Sequence, residues 1–352
     1  MEPPRKPRSF SLLLMRSPTA KIPEGFGMDT LIAKLLEANH PLAPRDAFGL
    51  ALRELGQHNP QIVVLDADLA HSTRARLFAR QFPERFFNVG IAEQDMVSIG
   101  AGLASCGKIP IVVTYATFLV GRGLDQIRNM VAYGHLNVKL IGTHAGLATG
   151  EDGATHQALE DIGIMRGIPG LRVISPSDAI ETIKSLEFAI NSKGPIYLRL
   201  TREKTELIHH KDYQFQFGQV EIFGEFMNKK VALLATGTMV IRALQAAKLL
   251  EKEDIETCVV NVHTIKPLNT NALTKIAQEV DLIVTIEDHN ITGGLGTAIG
   301  EFLSGIKTQA ILKKFGIEES FGESGNCQEL YFKHQLTAGQ IAKRILKILE
   351  CN

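Results

Sequence analysis

"FFNVGIAEQDMVSIGAGLASCG", residues 86–107, decides the fold. It opens on a short apolar, strand-like run, "FFNVGI". One acid follows, Glu93, and then a helical stretch over 93–107 that is too poor in charge to face water on all sides. Strand, short loop and helix make the repeating unit of an α/β domain. The unit recurs on both sides. "GMDTLIAKLLEAN" and "AFGLALRELGQ" read as helices and "QIVVLDADL" as a strand. Downstream, "IPIVVTYATFL" reads as a strand, "GLDQIRNMVAYG" as a helix, and "NVKLIGTHAG" and "RVISPSD" as strands. "AIETIKSLEFAINS" then reads as a helix and "PIYLRLTRE" as a strand. Apolar strands alternating with helices predict a parallel sheet covered on both faces.

Residues 206–228 lose this alternation and read as a linker or hairpin. It then resumes with "KVALLATGT", a helix at 239–252, "TCVVNV", a helix near 271–279, "DLIVTIED" and a helix from about 294. It ends in the amphipathic "LTAGQIAKRILKILE". The expectation is two parallel-sheet-containing α/β domains, the second smaller, over 40–205 and 229–352. A basic arm, "MEPPRKPRSFSLLLMRSPTAK", precedes them within residues 1–30. Its prolines suit a flexible or partner-docking segment better than a transit peptide.

The bulk numbers exclude some functions. The 352 residues are 45% hydrophobic, enough for full cores. Lys plus Arg (38) balances Asp plus Glu (38), so the charge gives no reason to expect nucleic acid or an anionic membrane. No apolar run is long enough to span a bilayer. The cysteines Cys106, Cys258, Cys327 and Cys351 are widely spaced without a metal pattern, as free thiols in a reducing compartment, read as the cytoplasm, would be.

In such sheets, ligands bind beyond the carboxyl ends of the strands, so the following loops matter most. "AHST" follows one strand, near Asp68, His71 and Ser72. "LVGRG" follows another. "HAGLATGEDGATHQ" follows a third, and "TREK" a fourth. The glycine-rich loop carries His144 and His156 with adjacent Glu151 and Asp152. Such a set can orient hydroxyls and move protons; a metal would need a third ligand in a defined shape. Arg45 opens a helix in "APRDAFG", where the dipole disfavours a cation unless an anion is near. Arg202 follows a strand on the same rim. "GGLGTAIG" (293–300) has the wrong glycine spacing for a dinucleotide loop and reads as a tight turn. There is no GxxxxGK[ST] loop, no GxSxG elbow and no GDG…N diphosphate signature. Glu93 itself has a bland reading, an acid satisfying a helix N-terminus.

"NVGIAEQDM", "TYATFLVGRGLDQIRN", "THAGLATGEDGATHQALED" and "LRLTREK", in this order and spacing, resemble the transketolase family. The chain is similar to the C-terminal subunit of split transketolases over about residues 40–350. The resemblance implies a pyrimidine-binding domain followed by a transketolase C-terminal domain, and ketol transfer between sugar phosphates. It implies thiamine diphosphate shared with a separate N-terminal subunit. That partner would carry the GDG…N motif and the Mg2+ or Ca2+, in a homodimer of heterodimers; no metal falls to this chain.

Residue by residue, the resemblance gives Glu93 the bond to the pyrimidine N1′ and Phe118 the stack on that ring. Asp152 and His156 would contact the donor sugar at its reacting carbons. His144, Arg45, Ser72 and Arg202 would bind the sugar and its phosphate, and Asp68 would lie near the cofactor pocket. Gly121 and Leu124 depart from the family, standing where aromatic rings are usual, and Tyr115 is a candidate substitute wall. A carboxyl group isolated in an apolar pocket resists ionisation and can share a proton with a ring nitrogen. Glu93 is expected to act so. Deoxyxylulose phosphate synthases, the beta subunits of 2-oxo acid dehydrogenases and a non-catalytic half-enzyme are the alternatives.

Overall fold

The computed structural model describes residues 27–227 and 229–350. Most of the expected basic arm lies outside the described residues. Its last positions, 28–30, already belong to the helix Met28–Ala38. The strands are β1 (Ile62–Asp66), β2 (Phe86–Asn88), β3 (Ile109–Tyr115), β4 (Lys139–Thr143), β5 (Arg172–Ile174) and β6 (Ile196–Arg199). Then come β7 (Glu221–Phe223), β8 (Val231–Ala235), β9 (Thr257–Asn261), β10 (Thr264–Lys266), β11 (Leu282–Asn290) and β12 (Ile311–Ile317).

The first sheet runs β10-β5-β6-β4-β3-β1-β2 and the second β12-β11-β8-β9-β7. Both are parallel except at one edge. There β10 runs antiparallel to β5 and β7 antiparallel to β9. Strands β1, β3, β8 and β9 are almost wholly buried, as sheets covered on both faces require. The chain leaves β1 for β2 on one side and returns to β3 on the other. The crevice beyond β1 and β3 is therefore the switch point where such sheets bind ligands.

Three expectations change. The 206–228 segment is not only a linker, because Glu221–Phe223 is an edge strand of the second sheet. Residues 119–123, expected as a loop, lie inside the helix Ala116–Gln126, which continues as a wider-wound turn over Ile127–Ala132. Its glycines do not break it, and Gly123 is the reason it packs: a Cβ there would sit 3.1 Å from Val97 Cγ2. The helix Glu93–Ser105 buries Met96, Val97, Gly100 and Ala101 against this neighbour and β3, but leaves Ile99 exposed. Phe87, Ile91, Met130 and Tyr133, on elements beside it, are exposed too. The helix's open face carries Ile99 beside Gln94 and Asp95, and its packed face is apolar.

The domains are clasped. Asp288, at the end of β11, accepts hydrogen bonds from Leu147 N (2.8 Å) and the Tyr331 hydroxyl (2.8 Å). Arg199 donates to Asp161 (2.8 Å) and to the Asp288 carbonyl (2.9 Å). Gly146 is at φ +81° and a Cβ there would meet Asp288 Oδ2 at 2.1 Å, so only glycine lets the loop lie against the second domain. This pins the base of the 143–157 loop.

Candidate active site

Beyond β3 the chain presents a ring cluster. Tyr115 ends the strand. Phe118, one helical turn later, runs parallel to it, with centroids 5.6 Å apart and planes at 6°. His144, at the end of β4, stacks on Tyr115 at 3.7 Å. His156 meets Phe118 edge-on at 5.1 Å and Tyr115 at 5.9 Å. Tyr115, proposed from sequence as a wall, thus holds the other rings in place. Gly121 is exposed, and a Cβ there would meet nothing within 4 Å. Leu124 packs against the core beneath the helix Glu93–Ser105.

Glu93 is 3% exposed at the first turn of its helix. It is not isolated, as the sequence reading expected. Arg122 Nη1 donates to its Oε1 at 2.6 Å, and the same guanidinium lies over the Phe118 ring, 4.2 Å from its centroid. Phe118 and Arg122 are four residues apart on one helix and so share a face. Reading 119–123 as a loop hid this pair, which is why Arg122 was missed.

His144 is buried and both its nitrogens are committed. Arg45 Nη1 donates to Nε2 at 2.6 Å. That fixes the proton on Nδ1, which faces Thr143 Oγ1 at 2.9 Å. Burial, reinforced by Arg45, Arg202 and Arg74, pushes the imidazole down to about 2, so it stays neutral. It therefore orients Arg45 rather than carrying protons. His156 is less buried and bonds only through Nδ1, to Thr155 Oγ1 at 2.9 Å, which leaves Nε2 for a ligand.

Three further arginines lie around this cluster. Arg202 donates to Asp152 Oδ2 (2.9 Å) and the Thr149 carbonyl (3.0 Å). The expected substrate-binding arginine and the expected catalytic carboxylate are thus paired with each other. Arg74, missed in the sequence, pairs with Asp46. Arg45 has a buried Nε without a partner, and burial lowers its affinity for its proton. An unpaired guanidinium N–H at a helix N-terminus suits an oxyanion.

The rim beyond β1 is looser. Asp68 is exposed, at φ +64°, and bonds Asn88. Ser72 sits half-buried in the single turn Ala70–Thr73. The buried acid here is Asp66, whose Oδ2 accepts from Leu69 N (2.8 Å) and whose Oδ1 has no partner. Burial pushes this carboxyl up to about 6. Asp68 was singled out in the sequence, whereas Asp66, which ends β1, was not considered.

Residues 40–206 match the transketolase pyrimidine-binding domain and residues 218–341 the transketolase C-terminal domain. The chain is 42% identical over 307 residues to a putative transketolase C-terminal section of Methanocaldococcus jannaschii, covering 86% of this chain and 95% of that protein. It is 37% identical over 306 residues to a 6-deoxy-6-sulfo-D-fructose transketolase subunit of a Clostridium species, covering 87% and 94%. Among solved structures, a split gene transketolase described as an inactive beta4 tetramer superposes with a TM-score of 0.80 at 42% identity. It covers 87% of this chain and 98% of that one. The chain belongs to the transketolase family and carries that family's pyrimidine-binding and C-terminal domains.

Proposed function

We propose that this chain is one half of a two-chain transketolase, moving a two-carbon ketol unit from a ketose phosphate to an aldose phosphate. The carrying observation is the seat between Phe118 and Glu93. A flat, hydrogen-bonding group already fits there, the Arg122 guanidinium, with one nitrogen 2.6 Å from the carboxylate and its central carbon over the ring. An aminopyrimidine asks for the same two contacts, so the residues present fit the ring end of thiamine diphosphate. When bound, thiamine diphosphate supplies the carbon–carbon bond cleavage and formation.

The chain's own residues do the rest in this reading. Glu93, itself buried, would hold the ring nitrogen N1′ and share its proton. Phe118, braced by Tyr115, fixes the ring plane. His156, through Nε2, takes and returns protons at the sugar hydroxyls, and Asp152 orients those hydroxyls once Arg202 turns to the phosphate. Arg45, oriented by neutral His144, meets phosphate with parallel N–H groups, helped by Ser72 at the facing turn. Asp68 stands at the pocket's outer edge.

The diphosphate anchor, its GDG…N motif and its Mg2+ or Ca2+ are assigned to a separate N-terminal subunit. The pair would form a homodimer of heterodimers in the cytoplasm. The open apolar face of Ile91, Ile99, Met130 and Tyr133 beside Glu93 supports such a partner, since exposed apolar patches of this kind mark association surfaces. The inactive state described for the similar split gene transketolase points the same way. Among the described residues, no helix is long and apolar enough to cross a membrane.

The test is reconstitution. The chain mixed with a GDG…N-bearing subunit, thiamine diphosphate and Mg2+ should transfer the ketol unit from xylulose 5-phosphate to ribose 5-phosphate. Neither chain alone should do so. Turnover of pyruvate instead would move the chain to another branch of thiamine enzymes.

A further inference from the structure

Arg122 has no part in the reaction just described, yet it holds both contacts that define the ring seat. Its guanidinium is planar and rich in donors. It stacks 4.2 Å from the Phe118 centroid and bonds Glu93 at 2.6 Å. In the proposed reading the aminopyrimidine would use the same aromatic ring and the same carboxylate. Ring and guanidinium therefore exclude one another. We propose that Arg122 is a built-in stand-in for the cofactor's ring, a self-plug that keeps the Glu93 pocket filled and must swing out before the ring can seat.

The side chains differ in which can move. Glu93 is 3% exposed and fixed in the first turn of a packed helix. The Arg122 side chain is 46% exposed, so it can turn to water without opening a cavity. Its attraction to Glu93 is the kind that contributes up to about 1 kcal/mol at a half-exposed site, roughly fivefold in an equilibrium. The plug has a further effect, because a buried carboxylate without a cation is unfavourable. Arg122 keeps Glu93 satisfied until a ring nitrogen replaces it. Loading is then an exchange of partners at one carboxylate.

The inference rests on the transketolase reading of Glu93 and Phe118, and the experiment separates the two. Thiamine diphosphate with Mg2+ is titrated into the two-chain complex by calorimetry, and its association rate is followed by quenching of intrinsic fluorescence. Wild type is compared with Arg122→Met, Arg122→Gln and Glu93→Gln, each first shown to unfold at the wild-type temperature. The plug predicts that both Arg122 variants bind about three- to fivefold tighter than wild type, or load faster by that factor. It also predicts that salt speeds loading of wild type but not of the Arg122 variants, because screening weakens the ion pair. Binding that is equal or weaker in the Arg122 variants, with Glu93→Gln impaired, overturns the plug and leaves the functional reading standing. Glu93→Gln binding as wild type overturns the functional reading, and the plug with it.

Discussion

Two of the buried acid–cation clusters among the described residues are built differently. In one, Glu93 faces a single half-exposed arginine at the crevice beyond β3. In the other, near the join of the domains, Glu181, His209 and Glu221 lie close enough to hold a metal ion. There each ligand atom is already engaged by protein. Glu181 accepts from Ser177 N and Oγ, both at 2.7 Å, from the Tyr213 hydroxyl at 2.6 Å and from Asn261. His209 lies between Asp178, 2.9 Å from Nδ1, and Glu221, 2.8 Å from Nε2. Burial opposes charge on this imidazole, but its contacts with Asp178 and Glu221 outweigh burial and raise it to about 10. The second cluster is a closed brace. The first has a partner that can leave. Burial of an acid does not by itself mark a site; the proposed role of Glu93 rests on its one protein cation being half-exposed.

Breaking the open cluster should cost activity and little stability. Glu93→Gln in the reconstituted enzyme removes the shared proton, and general acid–base groups of this kind contribute about 10²- to 10⁴-fold. Ketol transfer should fall by at least about 10²-fold, while the melting temperature moves by no more than roughly 2 °C, since Arg122 is free to turn to water. Near-native turnover would remove Glu93 from the mechanism.

Breaking the closed cluster should do the reverse. Glu181→Ala strands the Tyr213 hydroxyl, Asn261 and the Ser177 donors without their acceptor, and unsatisfied buried groups cost about 1–3 kcal/mol each. A loss on the order of 3 kcal/mol in urea unfolding is expected. Activity of whatever stays folded should be close to wild type. A variant that unfolds normally but loses turnover would mean the brace belongs to the site.

The sequence made the sheets legible because buried parallel strands are unbroken apolar runs, as in "IPIVVTY" and "VALLA". Glu93 drew notice in the sequence as an acid between a short strand and a helix, although that strand, Phe86–Asn88, is not a buried one. The short edge strands β7 and β10, three residues each, carry no periodic signal and exist only through pairing with β9 and β5. Gly121 and Gly123 together look like a loop, yet Gly123 is there for packing against Val97. The pairings that give the site its electrostatics are nonlocal: Arg122 reaches back 29 residues to Glu93, Arg74 28 to Asp46, and Arg45 forward 99 to His144. Residue type shows what a side chain can do. Which partner it finds is a property of the fold.

The closed cluster also predicts a pH response. His209 gains a proton affinity well above the ordinary 6.5 on folding, to about 10. Between these values the folded chain holds a proton that the unfolded chain has released. Its stabilising contribution is therefore complete below about pH 6.5 and is lost as pH rises toward about 10. Melting temperatures measured from pH 6.5 to 9.5 should fall, and His209→Gln should flatten that slope while lowering the starting value. An unchanged slope would show that His209 is neutral and the brace uncharged.

The smallest effect tests whether the crevice helix is open where it looks open. Gly121 and Gly123 lie two residues apart on the helix Ala116–Gln126, and neither needs a left-handed backbone. A methyl at 121 meets nothing within 4 Å, whereas one at 123 presses on Val97 at 3.1 Å. Alanine in an exposed helix interior is favoured over glycine by up to about 1 kcal/mol. Gly121→Ala should therefore raise stability of the full chain by nearly that amount. Gly123→Ala should gain less or lose, because Val97 belongs to the packed face of the helix that positions Glu93. Urea unfolding of the two variants reads the difference directly. If Gly121→Ala were the destabilising one, something in the folded chain would already cover that face, and the contrast between a closed brace and an open seat would fail at its open end.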